Sequence, residues 1–388
     1  MGNSEFQHSE AFLQWIWENI LFDFTNLTTT CGKSIHIIQP GILNTSDGPD
    51  FNQASIQIGV LSWHGDIEIH TQSSHWNTHS HQHDKNFNSV ILHVVTEAQP
   101  RTVRTENGSE PFTLNLLPYL SKELHVFLKS FGQPSELPCS SGLHFISEEA
   151  FHQQIEKSHN EYFEKKSDDF LQFYDPNLLP SKAWKRALIL SIWDGLGISH
   201  NRKPMQATAE ALLSTWNGTS LQNGIDLALE IAGFANTPSS INWNYKSVRP
   251  ANHPQKRIKE AVALSALILQ LPFKNFLSIN APSLWKSWIK IADCSNSSRM
   301  KILFGTVFLP SLYMLGKLFA FHALSEASLS TWKHLKTPIP PSLLKKFHSL
   351  KLENTRYRKK LGAVHQLKTY CEPARCSECF ILKKAIQS

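Results

Sequence analysis

The sequence predicts an α+β/α chain, with a small N-terminal α/β domain over residues 1–135 and a larger, mostly α-helical domain over residues 136–388. Three observations carry the prediction. Short β-branched runs bounded by turn residues are confined to the first third. Past Pro138 the apolar residues recur with helical spacing. A length of 388 residues, 41% hydrophobic and 18% charged, suffices for two folded cores.

In chain order, large apolar residues cluster over 12–24 and predict a helix. Residues 35–38, 54–58, 67–70 and 90–95 predict strands, with a turn over Asn44-Thr-Ser-Asp-Gly-Pro49 and a hairpin connection at Ser62-Trp-His-Gly65. Residues 112–132 predict a helix closing the domain. Further helices are predicted over 147–173, 181–196, 205–216, 221–235, 255–271 and 343–369, with stops at Asp194-Gly-Leu-Gly197 and Gly233. Trp184, Trp193, Trp243, Trp285 and Trp288 sit at core positions of apolar helix faces. The apolar run 302–324 contains Pro310, Lys317 and His322, so it predicts a buried, kinked helix and no membrane span. A polar, acid-containing start at residues 1–10 lacks an export signal, and the expectation is a cytoplasmic protein.

Charge is unevenly placed. Residues 341–388 hold eleven Lys or Arg against three Glu, and the rest of the chain is slightly acidic. A basic helix there, including Lys359 and Lys360, would steer DNA or RNA, or be simply a solvated face. Arg249 and Arg257 flank a helix start that follows two prolines, where they would hold a phosphate or serve as structural ion-pair partners.

Seven of the nineteen histidines lie between His64 and His93. Within that window Asp66-Ile-Glu-Ile-His70 alternates, so a strand turns Ile67 and Ile69 one way and Asp66, Glu68 and His70 the other. Acids and imidazoles crowded on one face call for a cation. His79, His81 and Asp84 follow as candidate additions to the metal set. His75 and His83 read as an exposed loop, and His93, in a buried strand, as a hydrogen-bonded core histidine.

Pro49-Asp50, followed eighteen residues after Asp50 by Glu68-x-His70, resembles the signature of the PD-(D/E)xK nuclease superfamily. The resemblance implies a restriction-endonuclease-like sheet, with Asp50 and Glu68 holding Mg²⁺ or Mn²⁺ and His70 where the family has the Lys that activates water. Neutral imidazole does not supply the fixed charge of that lysine.

At the other end, Cys371-x4-Cys376-x2-Cys379 carries metal-ligand spacing, with Cys139 as the fourth ligand and His365 behind it. One distant cysteine plus three near the C-terminus resembles the iron–sulfur staple of some nucleases of that superfamily, although there the lone cysteine precedes the catalytic motifs. Spacing leaves [4Fe–4S] and Zn²⁺ both open. Cys31 and Cys294 read as ordinary small apolar residues.

Together Gly48-Pro-Asp-Phe51, Gly65-Asp-Ile-Glu-Ile-His70, Trp76-x2-His-x-His-x2-Asp84, Ile91-Leu-His-Val-Val95, Val248-Arg-Pro-Ala-Asn252, Glu353-Asn354 and the C-terminal cysteines resemble a bacterial family met mostly in Bacteroidota, domain-of-unknown-function family 2851. His253, where that pattern has an aromatic residue, and Phe380-Ile-Leu depart from it. The leading expectation is a metal-dependent nuclease or nuclease-like protein. The alternatives are an inactive nucleic-acid-binding scaffold with a structural metal, and a different metallohydrolase ligated by His70, His79 and His81.

Overall fold

The computed structural model describes residues 3–99, 102–122, 124–125, 128, 137, 139, 147–198, 200–235, 239–246, 248, 250–294, 297–337, 339–350 and 352–379. Two compact units emerge. The first comprises residues 1–154, 341–355 and 366–388, and the second residues 155–340 and 356–365. The predicted break after residue 135 and the observed one after 154 differ, and two late stretches of chain return to the first unit.

The first unit contains helix α1 (Asn3–Glu18) and strands β1 (Ile35–Gln39), β2 (Ile42–Leu43), β3 (Phe51–Ile58), β4 (Leu61–Gln72), β5 (Val90–Glu97) and β6 (Phe112–Asn115). They form one mixed six-stranded sheet in the order β1-β3-β4-β5-β6, with β2 also on β3. β1 to β4 pair antiparallel, whereas β4–β5 and β5–β6 are parallel. A parallel neighbour requires a crossover. Residues 73–89 supply it, and they carry helix α2 (His75–Thr78) and the 3₁₀ turns His81–His83 and Lys85–Phe87. Trp76, Phe87, Val90 and Val103 form the small core beneath this crossover, and Trp76 Nε1 donates to the Arg104 carbonyl at 2.9 Å.

All four strands predicted here are present. Two other elements differ. Residues 112–115 form β6 and not a helix start, because they pair with Leu92–Val95 of β5 and Pro118 follows in a 3₁₀ turn. The β3–β4 hairpin turns at Gly59-Val60, with Gly59 at φ +62°, and Ser62–Gly65 lies inside β4. Gly65 has another role: a Cβ there would meet the Ser89 carbonyl at 2.4 Å and Ile91 Cγ2 at 2.6 Å. That close approach seats β5 beside β4. A bulge between Phe51 and Ala54 puts Gln53 at φ +60°, and the Gln53 amide donates to Asp66 Oδ1 at 3.0 Å.

The second unit is helical: most of α3 (Glu148–Leu171), then α4 (Pro180–Leu196), α5 (Arg202–Thr215), α6 (Leu221–Ile231), α7 (Pro254–Gln270), α8 (Ala281–Ile291), α9 (Ser298–Leu303), α10 (Leu309–Leu318) and α11 (His322–Lys333). Five of the helices predicted before residue 300 recur with ends shifted by a few residues. Trp184, Trp193, Trp285 and Trp288 are buried and Trp243 partly so. A π-helical turn, Phe304–Phe308, joins α9 to α10 just before Pro310, whose missing N–H breaks the regular ladder. Residues 298–318 are the one helical stretch, among those described, long and apolar enough to cross a membrane, and more than half of it is buried.

The predicted basic helix over 343–369 is not continuous. It divides into 3₁₀ segments Pro341–Leu350 and Arg356–Lys359, the short helix α12 (Gly362–Gln366) and a π turn, Leu367–Cys371. The buried residues Leu344, Phe347 and Leu350 recur every third position, which suits a 3₁₀ face. After them the Glu148 carboxylate accepts from the amides of Glu353 (2.8 Å) and Asn354 (3.3 Å), fixing the break.

Replacing Gly65 with Ala is expected to lower stability by about 1–3 kcal/mol through this overpacking. Urea unfolding checks it; an unchanged midpoint would mean that β4 and β5 are not held so closely.

Candidate metal centre

Glu68 and His70 lie two residues apart on β4, on one face of the strand. Parallel register brings His93 of β5 opposite Glu68. The crossover then folds His75, His79 and His81 over them, and α1 contributes Glu10 and Gln14. Both carboxylate and imidazole are buried: Glu68 is 5% exposed and His70 1%.

The contacts converge on Glu68 Oε1, which lies 3.4 Å from His70 Nε2 and 3.2 Å from His81 Nε2. His70 Nε2 is 3.1 Å from His79 Nδ1, and His70 Nδ1 is 2.9 Å from His93 Nε2. One donor atom from each of His70, His79 and His81 falls within 4.8 Å of the others. A second such group joins Glu10, His75 and the same His79, and within it His75 Nδ1 is 2.9 Å from Glu10 Oε1.

Burial sets the charge state. It pushes the Glu68 carboxyl up to about 8, with the charge of Glu10 adding and a hydrogen bond from the Asp50 amide opposing. Asp50 is raised well above the carboxylate range, by burial first and then by Glu68. His70 is held well below its ordinary value by burial and by the neighbouring imidazoles, His81 is lowered to about 4 and His93 to about 3. The imidazoles are therefore neutral, with lone pairs to offer, while the acids resist ionising without a cation.

Of the predicted residues, Glu68, His70, His79 and His81 come together. Asp50 stands on the far side of Glu68. Its amide donates to Glu68 Oε2 at 3.1 Å, and its carboxylate accepts from Gln14 Nε2 at 2.8 Å and the Ile69 amide at 2.9 Å. Asp84 is exposed and caps the turn Lys85–Phe87 by accepting from the Asn86 amide at 2.9 Å. His83 is exposed as expected, whereas His75 is buried against Glu10. Asp66 ties adjacent strands, accepting from Gln53 and from Ser89 Oγ.

In the second unit, Arg257 is buried and donates to Glu260 Oε2 at 2.5 Å and Asn252 Oδ1 at 2.6 Å, the structural alternative for that residue. Arg249 lies outside the described residues. Lys359 is exposed, and Lys360 Nζ bonds Glu156 Oε2 at 3.1 Å and the Lys333 carbonyl at 2.7 Å. His365, stacked on Tyr162 and 3.7 Å from Glu161 Oε2, belongs to the second unit, whereas all four candidate cysteines belong to the first.

Glu10 and Gln14 escaped sequence reasoning. Their signal was a pair of polar residues four apart, one helical turn, beside the apolar run Phe12-Leu13 and Trp15-Ile16-Trp17. His93 was foreseen as hydrogen-bonded, but not its partner His70.

No curated protein and no solved structure matches the chain. A family model, described as a protein of unknown function (DUF2851), matches residues 10–223. The match begins at Glu10 and includes every residue of the acid–histidine cluster, and the chain belongs to the DUF2851 family.

Proposed function

We propose that the first unit is a metal-dependent hydrolase, that Glu68, His70, His79 and His81 hold its ion, and that it cleaves phosphodiesters in DNA or RNA. The observation that carries this reading is the donor spacing. Ligands about 2.1 Å from an ion at tetrahedral corners stand about 3.4 Å apart. Glu68 Oε1 to His70 and His81 and His70 to His79 are 3.1–3.4 Å, and donor atoms of the three imidazoles lie within 4.8 Å of one another. Three imidazoles with one carboxylate suit Mn²⁺ or Zn²⁺ better than Mg²⁺, which prefers oxygen and water. Such an ion, when bound, supplies a Lewis acid and makes water acidic enough to attack near neutral pH.

The chain's own residues do the rest. For His70 to offer its Nε2 lone pair, its Nδ1 must carry the proton and donate to His93 Nε2, so His93 selects the tautomer. Asp50 positions Glu68 through its amide, with Gln14 holding the Asp50 carboxylate. The Glu10–His75 pair, beside His79, is placed to hold a second cation or to accept a proton.

The nucleic-acid substrate is supported by the order helix, Asp50, Glu68-x-His70, which resembles the PD-(D/E)xK arrangement and would make the sheet restriction-endonuclease-like. It is also supported by the exposed Lys345, Lys368 and Arg375 in the same unit. A second reading, a histidine-ligated hydrolase outside the nuclease superfamily, draws on the Asp50 carboxylate being engaged by Gln14 and Ile69.

The test uses stripped full-length chain, assayed on single- and double-stranded DNA and on RNA with Mn²⁺, Zn²⁺ and Mg²⁺. Glu68→Gln and His79→Ala should each reduce cleavage by ~10²-fold or more, as loss of a main electrostatic group does. Wild-type cleavage by Glu68→Gln would sink the mechanism. Asp50→Asn tests the role of Asp50: it meets Glu68 through its backbone amide, so the substitution should leave the ion bound, and loss of the metal would make the Asp50 carboxylate a ligand as in the PD-(D/E)xK arrangement. His93→Gln should weaken metal affinity about 10–100-fold, as removal of a group behind a ligand does.

Metal binding is expected to release a proton. In the free protein Glu68 keeps its proton up to about 8, against an ordinary 4.5, so an arriving cation displaces it throughout that window. Affinity should rise with pH from 4.5 towards 8 and then level off. The metal-free fold should lose stability across the same window, because the unfolded chain ionises Glu68 and the folded chain does not. Calorimetric titration in buffers of differing ionisation enthalpy reads the proton directly; no buffer dependence at pH 7 would contradict the assignment.

A further inference from the structure

We infer that Cys139, Cys371, Cys376 and Cys379 together ligate one thiolate-bound metal centre, a [4Fe–4S] cluster or a Zn²⁺ ion, which ties the last part of the chain into the first unit. The inference is independent of the hydrolase reading and uses none of its residues.

None of the four is in a disulfide. Three lie within nine residues on a tightly wound segment. Cys371 ends the π turn Leu367–Cys371, and Cys376 opens a 3₁₀ turn, Cys376–Glu378, in which the Cys379 amide donates to the Cys376 carbonyl at 3.0 Å. Between them Ala374 is at φ +53°, a left-handed conformation that a residue with a Cβ adopts at some cost. The chain is thus folded back to bring the second and third cysteines towards the first. Cys139, distant by more than 230 residues in sequence, lies within electrostatic reach of Cys371, Cys376 and Cys379.

A second observation points to a ligand. The Gln366 side chain is 1% exposed. Its Oε1 accepts from Gln154 Nε2 at 2.8 Å, which turns its Nε2 towards two sulfurs, Cys379 Sγ at 3.4 Å and Cys371 Sγ at 3.7 Å. A neutral thiol is a weak acceptor for a buried amide, whereas a metal-bound thiolate is a strong one. Amide donors behind sulfur ligands are the arrangement by which proteins orient and tune such centres. The spacing x4 then x2 within the cluster occurs at iron–sulfur sites, and four thiolates also satisfy structural zinc.

The experiment isolates full-length protein anaerobically, in the His79→Ala background so that the histidine site does not contribute metal. Iron, acid-labile sulfide and zinc are measured per chain, with the absorption spectrum and the reactivity of the thiols in the folded state. The expected result is one centre per chain: iron with matching sulfide and a broad visible band identifies the cluster, and one zinc without a band identifies the ion. In either case the four thiols resist modification until a strong chelator removes the metal. Cys139→Ser and Cys376→Ser should each lose the centre. A metal-free preparation whose thiols react freely while folded would overturn the inference, as would a Cys139→Ser variant that keeps the full metal content. Should the variants be insoluble, the metal and thiol measurements on the parent protein decide it alone.

Discussion

The Glu68 carboxylate lies out of water between two imidazoles and a backbone amide, and the first unit is built around keeping it there. Burying an acid costs several kcal/mol unless its oxygens find partners. Oε2 is met by the Asp50 amide, which the bulge at Gln53 and the preceding turn present to β4. Oε1 faces the histidines that the crossover between two parallel strands brings back over the sheet. Antiparallel pairing of β4 and β5 through a tight turn would leave no chain to cover that face. Gly65 and the parallel register are therefore as much a part of the acid–histidine cluster as its side chains.

Much of this was legible in the sequence, and the remainder was hidden for identifiable reasons. The alternation in Asp66-Ile-Glu-Ile-His70 reports local geometry, and it places Glu68 and His70 together without further information. Asp66 shares their face, yet it spends its oxygens on Gln53 and Ser89, partners set by neighbouring strands and not by its own. Glu10 meets His75 across 65 positions, a contact that no spacing rule expresses. The motif places Asp50 beside Glu68, but the contacts it makes there, Gln14 and Ile69 on its carboxylate and Glu68 on its amide, depend on α1 and β4 and are not written in the spacing.

The same distinction runs through the helices. Periodicity located α4, α5, α6 and α7 because their apolar stripes are continuous and their ends are marked by Pro or Gly. It does not locate the elements after residue 341, where the buried apolar residues repeat every three positions and not every 3.6. Lysines that would have shared one exposed helix face are instead divided between the units: Lys345 and Lys368 in the first, Lys359 and Lys360 in the second. Arg257, the residue best shaped for a phosphate, is already occupied with Glu260 and Asn252.

Helix α1 connects the two cysteine-rich and histidine-rich ends of the first unit. It packs on β4 and also against the turn Cys376–Glu378. From the same helix Glu10 reaches His75 and Gln14 reaches Asp50. A helix held by one apolar face alone can slide by fractions of an ångström, and a metal site tolerates little of that, since donors must stay within about 0.5 Å of productive positions. Contacts at both ends of the unit restrict such sliding: Trp17 Nε1 on the Pro40 carbonyl fixes the helix against the sheet side, and the C-terminal turn supports it elsewhere. The last segment of the chain thereby bears, through α1, on the placement of Glu10 and Gln14 near its beginning.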